Sequence, residues 1–284
     1  MGELFMETKD IWEEPEVPES LKALAFSIVQ LAVKDPRIFL LLDHYDKNSQ
    51  NTGMWQALYE ELQEPENQEH FSNVIPKAAN EHDWSGIEES YRNWGSYGWT
   101  VGREIHQFGF WDKCPNSQAE ADKKVLQTIN KKDLSQIRIE CLEKTSNIPV
   151  FDECCKCFDN KCYTACATLL ISLIDGELIR SKANIAFANR KTGVIASKRV
   201  ISELSKDDMY GLVGLFHLEL INYEAFLNTL FERANGFEVE PKRMNRNFIQ
   251  HGMSKRKILR KDCIKLFLAY RNILFLIWNN SKLR

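Results

Sequence analysis

Proline is almost absent from the second half of this 284-residue chain: seven of its eight prolines precede residue 150, and only Pro241 follows. An interior proline costs a helix roughly 3 kcal/mol, so the second half can form long helices. Long apolar runs are also missing, because no stretch reaches the roughly 18–20 residues needed to span a bilayer. The first residues lack a basic start followed by an apolar block. We therefore expect no secretory signal, no membrane anchor and a cytoplasmic location.

The sequence also lacks the common signatures of catalysis and of metal binding. It contains no phosphate-binding glycine-rich loop, no nucleophile elbow and no histidine with a metal-ligand partner four residues later. Five of the eight cysteines crowd into residues 154–166, but without the separated pairs typical of zinc sites. We predict free thiols, no metal and no cofactor, with Cys155, Cys162 and Cys166 on one apolar helix face beside Phe158. Metal binding or redox sensing by this cluster is the alternative.

Charge is unevenly divided along the chain, although the total is only −3. Residues 181–284 hold 19 Lys and Arg against 9 Asp and Glu, and six of the seven tryptophans lie in the first 111 residues. Such asymmetry indicates either a polyanionic partner for the basic half or attraction between the halves or between two copies. We divide the chain into an acidic, Trp-rich, mainly helical region of unknown role (1–135) and a basic domain (136–284).

Apolar residues recur at helical spacing in both parts, which predicts an all-α fold. Long amphipathic helices of this kind pack as a bundle. The aromatic corner at 94–99 is rich in turn-forming residues and could also begin a short strand. The predicted helices cover about 20–34, 52–64, 67–80, 84–96, a polar stretch at 117–146, 150–181, 192–204, 206–235 and 259–279.

The segment from Lys242 to Gly252 is the strongest candidate for chemistry. It belongs to a block, residues 241–265, that holds nine basic residues and one acid. An arginine can clamp a phosphate with two hydrogen bonds, and a histidine can exchange a proton with an RNA hydroxyl. Arg246 and His251 are five residues apart, about 140° around a helix, so one straight helix does not place them on one face. An ordinary exposed basic turn is the alternative.

Two strings of the second half resemble the HEPN superfamily. The string from Met244 to Gly252, MNRNFIQHG, resembles its R-x4-H motif in the form with a polar residue directly after the arginine. Upstream, the string from Tyr163 to Gly176 is similar to the family's helix with a tyrosine, paired leucines and an acid before glycine. The strings lie about 70 residues apart, and the resemblance covers roughly residues 140–284.

The resemblance implies a helical HEPN bundle, commonly dimeric, whose active members cut RNA without a metal, often as toxins or abortive-infection effectors. It assigns catalysis to Arg246, His251 and Asn247, with Asp175 and Asn245 in support. Met253 stands where some family toxins carry a tyrosine that a partner modifies, so we do not expect that route of regulation. The other basic residues of the block are predicted to bind RNA: Lys242, Arg243, Lys255, Arg256, Lys257, Arg260 and Lys261.

These observations predict a metal-independent endoribonuclease that acts as a homodimer in antiviral defence or in a toxin–antitoxin pair, with an antitoxin or sensor protein as a further partner. His251 would serve the 2′-hydroxyl or the 5′-oxygen, and Arg246 would stabilise the charge that develops on phosphorus. Two alternatives stay open. One is a non-catalytic HEPN module that binds nucleic acid or a partner protein, and the other is a helical scaffold whose basic edge docks an acidic protein.

Overall fold

The computed structural model describes residues 17–24, 28, 60, 63–69, 82–102, 109–182, 193–205 and 215–279. Within these ranges the chain is all helical, as predicted, with no strand and a single 3-10 turn at Asn235–Phe237. None of the helices described there is long and apolar enough to cross a membrane. Besides a helical segment at residues 19–24, the α-helices are α1 (Pro65–Glu69), α2 (Ser85–Ser96), α3 (Gln118–Thr128), α4 (Lys131–Lys144), α5 (Ile148–Asp159), α6 (Tyr163–Arg180), α7 (Gly193–Ser205), α8 (Leu215–Leu230), α9 (Arg246–Gln250) and α10 (Arg260–Asn279).

Several predicted helices agree closely with these bounds. The helices expected at 84–96, 192–204 and 259–279 correspond to α2, α7 and α10. The polar stretch at 117–146 forms α3 and α4, which are separated at Asn130 because its side chain caps the start of α4. The helix expected at 206–235 ends earlier, at Leu230. The helices expected at 20–34, 52–64 and 67–80 fall mostly outside the described residues.

The predicted single helix over 150–181 is wrong, because the chain forms α5 and α6 with a turn between them. Lys161 adopts a left-handed conformation, with φ 62°. The N–H of Lys161 donates to the carbonyl oxygen of Phe158 at 3.0 Å, and that of Cys162 to Cys157 at 2.8 Å. This pair of hydrogen bonds is the Schellman motif that ends many helices. The apolar spacing continues across the turn, which is why it resembles one helix in the sequence.

The turn also changes which cysteines are buried, so the predicted face of Cys155, Cys162 and Cys166 does not form. Cys162 is exposed and Cys155 half-buried, whereas Cys154, Cys166 and Cys263 are buried. The sulfur atoms of Cys154 and Cys166 are 3.6 Å apart. All eight cysteines are free thiols. In the part of the chain that the structure describes, no group of three His, Cys, Asp or Glu side chains could hold a metal ion.

Residue contacts divide the chain into two compact units, one of residues 1–87 and 207–218 and the other of residues 88–206 and 219–284. The division predicted at residue 135 falls inside α4, and the chain on both sides of it belongs to the second unit. Hydrogen bonds from the tryptophan-rich corner to α8 account for this difference.

The aromatic corner at residues 94–99, where α2 ends, is bound to α8. Trp94 and Trp99 are fully buried. The side chain of Asn222 on α8 donates to the carbonyl oxygens of Tyr91 and Trp99, at 2.9 and 3.1 Å. A Cβ atom at Gly95 would lie 2.1 Å from the carbonyl oxygen of Asn222, so only glycine permits this close approach.

Helix α6 is central to the second unit. It packs against α5, α7, α9 and α10, and α10 also packs against α4. Leu170 and Ile174 on α6 and Phe267 and Tyr270 on α10 are fully buried. Burying a large apolar side chain contributes roughly 1.5–3 kcal/mol, so this core fixes the helices that carry the two HEPN-like strings.

Candidate functional site

Arg246 begins the five-residue helix α9, and His251 follows its last residue. The side-chain oxygen of Asn245 caps α9 by accepting from the N–H groups of Asn247 and Phe248, at 2.9 and 3.3 Å. At the other end, the N–H of His251 donates to the carbonyl oxygen of Asn247 at 3.1 Å. Five residues of helix rise about 7.5 Å, which separates the two groups along the axis.

Arg246 forms an ion pair with Asp175, which lies 71 residues earlier on α6. The Nη2 atom of Arg246 is 2.8 Å from Oδ2 of Asp175, and the two side chains are 24% and 9% exposed. The other oxygen of Asp175 accepts from the N–H of Gly193 at 3.1 Å, at the start of α7. The positive end of the α7 dipole favours a carboxylate there. One acid therefore connects α6, α7 and α9.

Gln250 holds a second nitrogen of Arg246, a contact that the sequence predictions missed. Its Oε1 atom accepts from Nε of Arg246 at 2.7 Å, and its Nε2 donates to Oγ of Ser172 at 3.0 Å. The spacing of four residues between Arg246 and Gln250 is the one that brings side chains together on a helix, and it could have indicated this pair. Asp175 and Gln250 together engage Nη2 and Nε, and neither engages Nη1.

His251 is exposed, but its ring is not without support. It packs edge-on against Phe237, with ring centres 5.6 Å apart and an interplanar angle of 79°. Phe237 in turn packs against Phe248 on the buried side of α9, at 5.1 Å. The imidazole is thus oriented by an aromatic contact while its edge stays in solvent, where it can exchange protons.

Asn245 and Asn247, predicted as a supporting and a catalytic residue, both anchor α9. Their side-chain amides each donate to the carbonyl oxygen of Glu232, at 2.9 Å in both cases. Asn245 is buried and Asn247 is partly exposed. This geometry fixes α9 to the segment that follows α8, and it makes Asn247 a residue that positions its neighbours.

The seven predicted RNA-binding residues fall into two groups. Four of them line an open cleft next to Tyr97: Lys242, Arg243, Arg256 and Lys261. The other three are exposed and do not line it: Lys255, Lys257 and Arg260. The basic block is therefore divided between residues that line this cleft and residues that do not.

Comparisons with known proteins assign no family to this geometry. No family model, no curated protein and no solved structure matches the chain. The function proposed next is therefore supported by the residues and contacts described above.

Proposed function

We propose that the chain is a metal-independent endoribonuclease of the HEPN type, acting in antiviral defence or in a toxin–antitoxin pair. The ion pair between Asp175 and Arg246 is the observation that carries this proposal. Each residue comes from one of the two HEPN-like strings, and the pair is 2.8 Å apart. It lies at the start of the short helix that ends at the exposed His251.

In the proposed reaction, His251 takes the proton of an RNA 2′-hydroxyl or returns one to the departing 5′-oxygen. The 2′-oxygen attacks phosphorus, and the bond from phosphorus to the 5′-oxygen breaks. The products are a 2′,3′-cyclic phosphate and a 5′-hydroxyl, and the proton lost by the 2′-hydroxyl is balanced by the proton gained at the 5′-oxygen. Arg246 stabilises the charge that develops on the phosphoryl oxygens.

A homodimer is part of this proposal. Arg246 and His251 lie at opposite ends of α9, so one copy presents them along the helix and not on a single face. A two-fold axis near α9 would bring two copies of the motif into one groove, and this symmetry is the commonest among soluble oligomers. An antitoxin or a sensor protein is the further partner that the proposed role requires.

Expression of the wild type beside His251→Ala tests the proposal in cells. We expect the wild type to slow growth and to fragment total RNA, and the variant to do neither, because it lacks the proton-transfer group. His217→Ala is a matched control, since His217 is an exposed histidine on α8. Equal toxicity and equal RNA damage from wild type and His251→Ala would contradict the proposal.

A non-catalytic module that binds RNA is the second candidate, and the engagement of Arg246 favours it. An arginine already paired with a buried carboxylate attracts a phosphate less strongly than a free one. This candidate predicts RNA binding that weakens steeply with salt, without cleavage. A scaffold that docks an acidic protein predicts neither RNA cleavage nor RNA binding.

A further inference from the structure

The open cleft next to Tyr97 lies entirely within the second unit. The corner after α2, the helices α3 and α8 and the start of α10 surround it. Five basic side chains and two carboxylates line it, so its lining carries a net charge of +3. A concave surface with this excess of positive charge attracts anions.

The two carboxylates are already neutralised by three of the cations. Asp122 is 2.6 Å from the amino groups of both Lys261 and Lys265. Asp262 is 2.9 Å from the guanidinium of Arg256. Burial acts against ionisation of Asp122, but the two lysines hold its pKa below the usual 3.8. Both carboxylates are therefore held in ion pairs within the wall of the cleft.

Lys242 and Arg243 are the two cations of the cleft that do not pair with its carboxylates. Both are exposed, and neither forms an ion pair with any residue in the described ranges. The guanidinium of Arg243 lies over the ring of Tyr97, 5.0 Å from its centre. Stacking holds the guanidinium plane and leaves its N–H edge free to make two parallel hydrogen bonds to phosphate oxygens.

The ring that supports Arg243 belongs to a fixed segment. The carbonyl oxygen of Tyr97 accepts from Nζ of Lys265 at 3.0 Å and from Nε2 of Gln118 at 2.8 Å. Nζ of Lys265 also lies over the ring of buried Trp99, 4.9 Å from its centre. A wall that is already ordered lowers the entropic cost of binding.

We infer that Lys242 and Arg243 bind a phosphate of the RNA strand near the phosphate cut at α9. This inference rests on the proposed function. Arg243 precedes Arg246 by three residues, so their Cα atoms are at most about 11 Å apart. A strand that reaches Arg246 therefore passes within reach of the cleft, whose second contact holds the RNA in place during cleavage.

The test measures binding of a fluorescein-labelled, single-stranded RNA of twelve nucleotides by fluorescence anisotropy. The full-length chain carries His251→Ala throughout, which prevents cleavage. Arg243→Gln should weaken binding about tenfold, the scale of one lost charge-assisted contact. It should also make the slope of log affinity against log salt shallower by about 0.7, the value for one phosphate on a single strand.

Two further variants serve as controls. Arg243→Lys keeps the charge and should recover only part of the affinity, because an ammonium cannot copy the two-pronged contact. Arg233→Gln removes an exposed arginine outside the cleft and should leave affinity and salt slope unchanged. Equal affinity of Arg243→Gln and its parent, in folded protein by circular dichroism, would overturn the inference.

Inorganic phosphate and an oligoglutamate peptide identify the source of the anion. We expect both to compete with the RNA only at far higher concentration. Tighter binding of free phosphate, or of the peptide, would assign the cleft to that ligand and overturn the inference. Weaker binding by Arg243→Gln, together with no cleavage by the wild type, would support RNA binding in the cleft and contradict the proposed ribonuclease activity. Cleavage by the wild type with unchanged binding by Arg243→Gln would support the ribonuclease activity and contradict RNA binding in the cleft.

Discussion

At the scale of single residues, the decisive contact is the one between Arg246 and Asp175. Asp175 accepts a hydrogen bond from Nη2 of Arg246, and Gln250 accepts one from Nε. The centre of the Phe231 ring lies 5.7 Å from the guanidinium carbon. These three contacts hold the guanidinium in one orientation. A preorganised donor of this kind stabilises developing charge without reorganising during the reaction.

Replacing Asp175 by asparagine tests this role. The variant keeps the shape of the side chain but leaves Arg246 without its negative partner, so we expect a loss of about 1–3 kcal/mol of unfolding free energy. Urea unfolding measures the loss. In a cycle with Arg246→Gln, the double variant should lose less than the two single variants together, because they share one contact. Strict additivity would show that the ion pair contributes nothing.

The ionisation of Asp122 should make the stability of the second unit depend on pH. Its pKa in the folded protein lies below the usual 3.8 because of Lys265 and Lys261, although burial opposes this. Ionised Asp122 therefore stabilises the fold fully at a pH above its pKa in the unfolded protein. This stabilisation is lost as the pH falls through the lower pKa of the folded protein. We expect Asp122→Asn to unfold with about 3 kcal/mol less free energy than the wild type at neutral pH, since it leaves the buried Lys265 without its partner. When the pH falls below 3.8, the stability of the variant should decrease less than that of the wild type.

Thermal unfolding between neutral pH and pH 3 measures this difference. Asp152→Asn is a suitable control, because Asp152 is an exposed carboxylate on α5. An Asp122→Asn variant as stable as the wild type at neutral pH would contradict the expectation.

At the scale of helices, apolar spacing was a good guide to where helices form and a poor guide to where they end. It located α2, α7 and α10 to within about one residue. It missed the turn between α5 and α6, because the left-handed position at its centre is occupied by Lys161 and not by the glycine that usually marks it. Without that signal, the apolar residues on either side form one continuous pattern.

Lys161→Gly tests the conformation of this turn. A left-handed residue with a Cβ atom costs roughly 1–2 kcal/mol, so glycine should stabilise the protein, by up to about 1 kcal/mol. Lys156→Gly is the matched control, because Lys156 is an exposed lysine inside α5 and its replacement should cost about 1 kcal/mol. Destabilisation by both variants in urea unfolding would contradict the described turn.

Part of the candidate site could be predicted from the sequence, and part of it depends on how the helices pack. Arg246, His251 and Asp175 stand in strings with a family resemblance, so the sequence alone identified them. Ser172 and Gly193 did not stand out, because Ser172 meets Gln250 and Gly193 meets Asp175 only once α6, α7 and α9 pack together. Gln250 could have been found from its spacing of four residues from Arg246. The basic block looked uniform in the sequence, and only packing shows which of its residues line a cleft.

At the scale of the whole molecule, the proposed site requires a dimer. One chain has a mass of 33.1 kDa, so light scattering at micromolar concentration should give about twice that value. His251→Ala should form the same dimer, because it changes an exposed ring. A mass of one chain for both proteins would leave Arg246 and His251 of a single α9 as the whole site, contrary to the proposal.

The rate of RNA cleavage in EDTA is the direct test of the proposed ribonuclease. We expect cleavage by the wild type, products that end in a 2′,3′-cyclic phosphate, and resistance of a substrate with 2′-deoxyribose at the cut. His251→Ala and Arg246→Ala should each be slower by roughly 10²-fold or more, and Arg246→Lys should recover little. Equal rates for the wild type and both alanine variants, or equal cleavage of the 2′-deoxy substrate, would contradict it.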